Sequence, residues 1–123
     1  MYLSNSIHSP GQYAGGPAGS RAVNLHALLT GFKPSGQTTA GIYTLTTTAT
    51  GPAAYQAPAP PAETPPHPHN YVSLLFDTPA DFKVPSSQSS AISRRIGFNI
   101  TAFQTAAGLQ NPIRANYFQV SGN

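Results

Sequence analysis

The run Pro65-Pro-His-Pro-His-Asn-Tyr-Val-Ser-Leu-Leu-Phe76 decides the fold, because within it an irregular loop turns into the strongest strand of the chain. Proline fixes φ and removes an amide donor, so the proline-dominated stretch 51–68 is excluded from a helix or a central strand. Tyr71-Val-Ser-Leu-Leu-Phe76 is rich in aromatic, β-branched and aliphatic residues and reads as a strand. Alternation puts His69, Tyr71 and Ser73 on one face and Val72, Leu74 and Phe76 on the other. By itself the proline run also suits a polyproline II linker. A chain of 123 residues is one domain, however, and leaves such a linker nothing to join.

Upstream, Ala22-Val-Asn-Leu-His-Ala-Leu-Leu29 alternates with Val23, Leu25, Ala27 and Leu29 on one face and Asn24, His26 and Leu28 on the other. This predicts a half-buried strand ended by Gly31 and Pro34. Residues 33–40 read as a polar loop, and Gly41-Ile-Tyr-Thr-Leu-Thr-Thr-Thr48 as a strand or extended segment. Residues 1–20, with Gly, Pro and Ser and no periodicity, read as a flexible N-terminal arm before a single domain over 21–123.

Downstream, Asp77 to Ser93 is a polar excursion. Asn99 is placed to cap a short helix, with Ile100, Phe103 and Ala107 on one side and Gly108 as its stop. Ile113-Arg-Ala-Asn-Tyr-Phe-Gln-Val120 follows Pro112 as a last strand. The pattern is mostly β, with roughly four strands, one or two short helices and long loops.

The composition excludes more than it assigns. Six Lys/Arg stand against three acids (Glu63, Asp77, Asp81), a net charge of +3, and only Arg94-Arg95 adjoin. Cations so scattered do not form a nucleic-acid surface, whereas a small anion needs only one or two of them. With no cysteine there is no disulfide framework, thiolate chemistry or zinc–thiolate site. The first residues show neither a basic start nor an apolar run, and no stretch has the length of a transmembrane helix. As written, the chain reads as soluble and cytoplasmic, or as secreted if a leader lies upstream. Asn99-Ile-Thr101 is a glycosylation sequon, a tripeptide common by chance.

Histidine is the one side chain type present that titrates near neutrality. If the strands holding His26 and His69 share a sheet, both imidazoles converge with Tyr71 on one rim. His67 reads as a solvated loop residue, and His67-Pro-His69 lacks the further ligands a metal requires. No Gly-x-Ser-x-Gly elbow, glycine-rich phosphate loop or paired carboxylate site occurs. No cofactor or metal is implied.

Taken in order, Asn24-Leu-His-Ala-Leu-Leu-Thr-Gly31, Tyr55-Gln-Ala-Pro-Ala-Pro-Pro61, His69-Asn-Tyr-Val-Ser-Leu-Leu-Phe76, Arg95-Ile-Gly-Phe-Asn-Ile-Thr-Ala-Phe103 and Pro112-Ile-Arg-Ala-Asn-Tyr-Phe118 resemble the phosphatidylethanolamine-binding protein (PEBP) family, its fungal members especially. The resemblance covers about residues 22–120. It implies a β-sandwich with a small anion-binding pocket at one end. Carried over position by position, His26, the loop with Ala57, Ala59 and Pro61, His69 and Tyr71 line that pocket and Phe118 closes one side. The implied ligand is a small anion or phospholipid head group. Two alternatives also follow from the resemblance: an enzyme of fungal secondary metabolism acting on anhydride-bearing polyketides, and a kinase or protease inhibitor binding a protein partner. The sequence leaves enzyme against binding protein open and leans to binding.

Departures from the family pattern accompany the likeness. The upstream Asp-Pro-Asp-x-Pro segment, with its pocket carboxylate, has no counterpart, since residues 1–25 contain no acid. Ala57 and Ala59 stand where glycines are usual, and Asn70 where arginine is. The sandwich is therefore expected to be incomplete at its N-terminus, with an unpaired edge and an apolar face. The arm, a second copy of the chain or another polypeptide must cover them, which predicts a homo-oligomer or a fragment needing a second chain.

Overall fold

The computed structural model describes residues 2–8, 22–62 and 64–122. Its strands are β1 (Tyr2–His8), β2 (Ala22–Leu29), β3 (Lys33–Thr39), β4 (Ile42–Thr46), β5 (Pro52–Ala53), β6 (Pro68–Leu75) and β7 (Arg114–Ser121). Two short helices, α1 (Ser89–Arg94) and α2 (Ile100–Ala107), lie between β6 and β7. The chain is mostly β, as its sequence pattern requires. No helix among the described residues is long and apolar enough to cross a membrane.

Five strands form one antiparallel sheet in the order β5-β2-β1-β6-β7, while β3 and β4 make a separate two-stranded ribbon. The first strand corrects the reading of residues 1–20 as a flexible arm. Tyr2–His8 is the central strand, paired with β2 on one side and β6 on the other. Residues 9–21 lie outside the described residues. Polar Ser4, Asn5 and Ser6 interrupt the apolar alternation that marks a strand, so this one leaves little trace in the sequence.

Residues 33–40 are likewise not simply a loop. Lys33–Thr39 pairs with Ile42–Thr46 as a hairpin. Ala40 and Gly41 at its tip have φ of 51° and 79°, the two positive values of a tight primed turn. Both strands of this ribbon are exposed. With no face to bury, β3 needs no apolar alternation, which is why its sequence is polar.

The core lies on one face of the large sheet. Leu25, Leu28, Ala53, Phe76, Ile92, Phe98 and Phe103 form it, with Leu74, Phe82, Ile100 and Leu109 packed against it. The excursion after β6 thus carries α1 and much of the layer that covers this face. Phe103 is fully buried and meets Phe98 with ring centroids 5.7 Å apart. Helix α2 is closed at both ends as predicted. Asn99 Oδ1 accepts from the Ala102 amide at 3.0 Å. At the other end Gly108 (φ 64°) donates to Thr105 O and Leu109 to Gln104 O, the paired bonds of a Schellman stop.

Strict alternation along β2 fails at one point, and this failure builds the site. The register runs Asn5↔Leu25 and then Ser4↔Ala27, so His26 is an extra residue with no partner on β1. Such a bulge flips the phase of everything after it. Leu25 and Leu28 therefore share the core face, instead of Leu25 and Ala27 as the simple pattern expected.

Candidate functional site

His26, Tyr71 and Phe118 meet on the face of the sheet opposite the helices. Tyr71 sits on β6 directly opposite Phe118 of β7 in the register, which puts both side chains on one face. Their rings stack with centroids 5.3 Å apart and an interplanar angle of 11°. His26 approaches Tyr71 edge-on at 5.1 Å and 69°, although its strand is two places away in the sheet. The bulge explains this reach: it re-aims one side chain and bends the strand locally.

The imidazole is fixed at both nitrogens. Its Nδ1 lies 2.9 Å from the Gln56 carbonyl and its Nε2 lies 3.3 Å from Asn24 Nδ2. A carbonyl only accepts, so Nδ1 carries a proton, while Nε2 faces the Asn24 side-chain amide. The Gln56 amide in turn donates to the His26 carbonyl at 2.9 Å. This reciprocal pair ties the start of the proline loop to the bulge.

Tyr71 is 1% exposed, and among the described residues its hydroxyl has no hydrogen-bond partner. Burial pushes its phenol above the usual tyrosine range, because the phenolate loses hydration. A buried hydroxyl without a partner costs free energy, so its retention needs an explanation. His69, also 1% exposed, lies two residues before Tyr71 on the same face of β6, within the strand and not ahead of it.

The other predicted positions differ. Ala57, Ala59 and Pro61 are exposed loop residues. The loop meets His26 through Gln56, which the sequence reading did not single out. Its far end closely approaches Gly122, where any Cβ would overlap the Pro61 carbonyl. His67 is exposed. Asn70 points away from the site, accepting at 2.8 Å from Gln119 Nε2 across the strand pair. Asn24, Gln56 and Arg95 were missed as site residues. Asn24 stands two residues from His26, on the face that alternation gives both, whereas Gln56 and Arg95 meet His26 only through contacts between distant segments.

The most spacious groove among those described, about 510 Å³, lies elsewhere, between Asp77–Phe82 and the C-terminal end of α2 through Ile113. Among its described lining residues, Asp77 is the one that titrates. Volume and chemistry therefore separate in this molecule. The buried hydroxyl, the imidazoles and the stacked ring belong to the sheet face.

A sequence profile described as phosphatidylethanolamine-binding protein matches residues 14–119. The chain belongs to this family. Family membership fits the mostly β fold and the order in which the His26 strand, the proline loop and the β6 strand occur. Two curated relatives are each called phomoidride biosynthesis cluster protein N. One, from Fungal sp. (strain ATCC 74256), is 46% identical over 74 residues, covering 57% of this chain and 32% of the relative. The other, from Talaromyces stipitatus, is 36% identical over 70 residues, covering 54% of this chain and 34% of the relative. The chain thus spans about a third of the length of the curated relatives it matches. No solved structure matches it.

Proposed function

We propose that this PEBP-family chain binds a small anion, of the phosphate or carboxylate type found in phospholipid head groups, with the Tyr71 hydroxyl as principal donor. The buried Tyr71 Oη, without a partner among the described residues, carries this reading. A phenol held neutral by burial remains a hydrogen-bond donor, and an O–H···O⁻ bond is about twice as strong as a neutral one. His26, its nitrogens already engaged, forms a wall beside that donor. Phe118 stacks on the other side of the ring, and the prolines limit the ordering cost of the loop.

Inorganic phosphate, acetate and phosphoethanolamine, titrated in turn while the His26 and His69 ring signals are followed by NMR, test this. Saturable shifts at His26, which contacts Tyr71, are expected with at least one of them. Rings that ignore all three anions refute the anion site.

The names of the two relatives favour a second reading, a role in making a fungal secondary metabolite. In that case the ligand is a carboxylate- or anhydride-bearing polyketide on the same donors. Product formed from an anhydride substrate by the wild-type chain, and lost in Tyr71→Phe, separates catalysis from simple binding.

A further inference from the structure

We infer that Arg95 is the positioning residue of this site, clamping the bulge that aims His26 at Tyr71. The inference rests on the proposed site for its functional meaning, though not for its geometry. In a regular strand successive carbonyls point to opposite edges. Here Arg95 Nη1 donates to two consecutive carbonyls, Leu25 O at 3.1 Å and His26 O at 3.2 Å. One nitrogen reaches both because His26 is the extra residue of the bulge. The second arm of the guanidinium donates to Ala54 O at 3.0 Å, at the head of the loop whose Gln56 holds the imidazole. A single side chain thus joins the strand, the bulge and the loop.

The backbone around Arg95 serves the same end. Its carbonyl accepts from the Leu25 amide at 3.1 Å, and Gly97 N–H donates to Val23 O at 2.8 Å. Arg95 itself has φ of 63°, a value that non-glycine residues rarely adopt. Strain of this kind persists only where surrounding bonds fix it, and it concentrates at functional sites. Lysine does not replace this group, because it offers a compact ammonium in place of a planar fork. The charge of Arg95 is thereby committed to three backbone carbonyls and not to a ligand.

The test compares wild type with Arg95→Lys. Ring ¹⁵N spectra recorded at a pH where the ring is neutral should show the proton of wild-type His26 on Nδ1, since it is donated to Gln56. In a folded Arg95→Lys variant this signature is expected to give way to a tautomer mixture, with inorganic phosphate bound about tenfold more weakly. A folded variant whose His26 signals match wild type overturns the inference. Should the variant not fold, wild type alone still decides. A clamped guanidinium shows hindered rotation with separate Nη signals, and a freely rotating one overturns the clamp. If phosphate binds neither protein, the anion reading fails, while the tautomer comparison still judges the positioning role.

Discussion

Tyr71→Phe should make this protein more stable and less able to bind an anion. The substitution removes one oxygen and keeps the ring that stacks on Phe118 and meets His26. An unsatisfied buried hydroxyl costs about 1–3 kcal/mol, and its deletion recovers part of that. Taking about 1 kcal/mol, a domain of this size gains roughly 4 °C in Tm, readable by circular dichroism melting. Binding moves the other way. Loss of a hydrogen bond to a charged acceptor removes about 1.5–3 kcal/mol, or roughly ten- to a hundredfold in phosphate affinity by calorimetry. The combination is diagnostic, because a structural tyrosine loses stability when truncated and a bystander changes nothing. A variant that melts lower than wild type, or that binds phosphate equally well, refutes the reasoning.

Three further outcomes follow from the same structure. The Tyr71 phenol is pushed up by burial. In the unfolded chain it ionises near pH ~10, so its contribution to stability is intact below that and declines as pH rises through the higher folded value. A stability–pH profile of Tyr71→Phe that declines as steeply as wild type above pH ~10 would contradict this. Asn99→Ala removes the cap bond to Ala102 and should cost about 1 kcal/mol in urea unfolding, with no change in phosphate binding. Strand β7 is an edge with Tyr117 68% and Phe118 46% exposed, and residues 115–120 carry neither charge nor proline. We therefore expect it to pair with β7 of a second copy, giving a dimer by light scattering that Tyr117→Lys dissolves; a wild-type monomer at every concentration would sink that expectation.

What the sequence disclosed and what it hid divide along a physical line. Features set by local chemistry were legible: the caps of α2 at Asn99 and Gly108, the β6 strand, and Tyr71 facing the same way as His69. Convergence of His26 with Tyr71 was legible as well, given one sheet. What stayed hidden depends on pairing between distant segments. β1 is recognisable only because β2 and β6 lie on either side of it. The bulge at His26 is a mismatch of register, and no single strand records it. Its consequences were hidden too, from Leu28 joining Leu25 in the core to Arg95 and Gln56 meeting around one carbonyl.

The charges around Tyr71 decide what kind of ligand its hydroxyl suits. Asp77 lies six residues further along the chain, about 20 Å away at strand rise, which is more than twice the screening length of physiological salt. Arg95 is occupied with carbonyls, and both ring nitrogens of His26 are engaged. Arg114, opposite Leu75 in the strand pair and lining a groove with Ser73, adds a cation further along this face, so an approaching anion meets no described like charge beside Tyr71. Ser73→Asp tests this balance. Ser73 follows Tyr71 by two positions on the same face of β6, about 7 Å along the strand. A new carboxylate there opposes a bound anion by at most about 2 kcal/mol at an effective dielectric of ~20, or roughly thirtyfold in affinity, with Arg114 in the same groove offsetting part of it. Raised salt should return part of that loss. A neutral anhydride would be nearly indifferent to the substitution, and a cationic ligand would bind more tightly. Phosphate affinity unchanged in a folded Ser73→Asp protein would place the anion away from Tyr71.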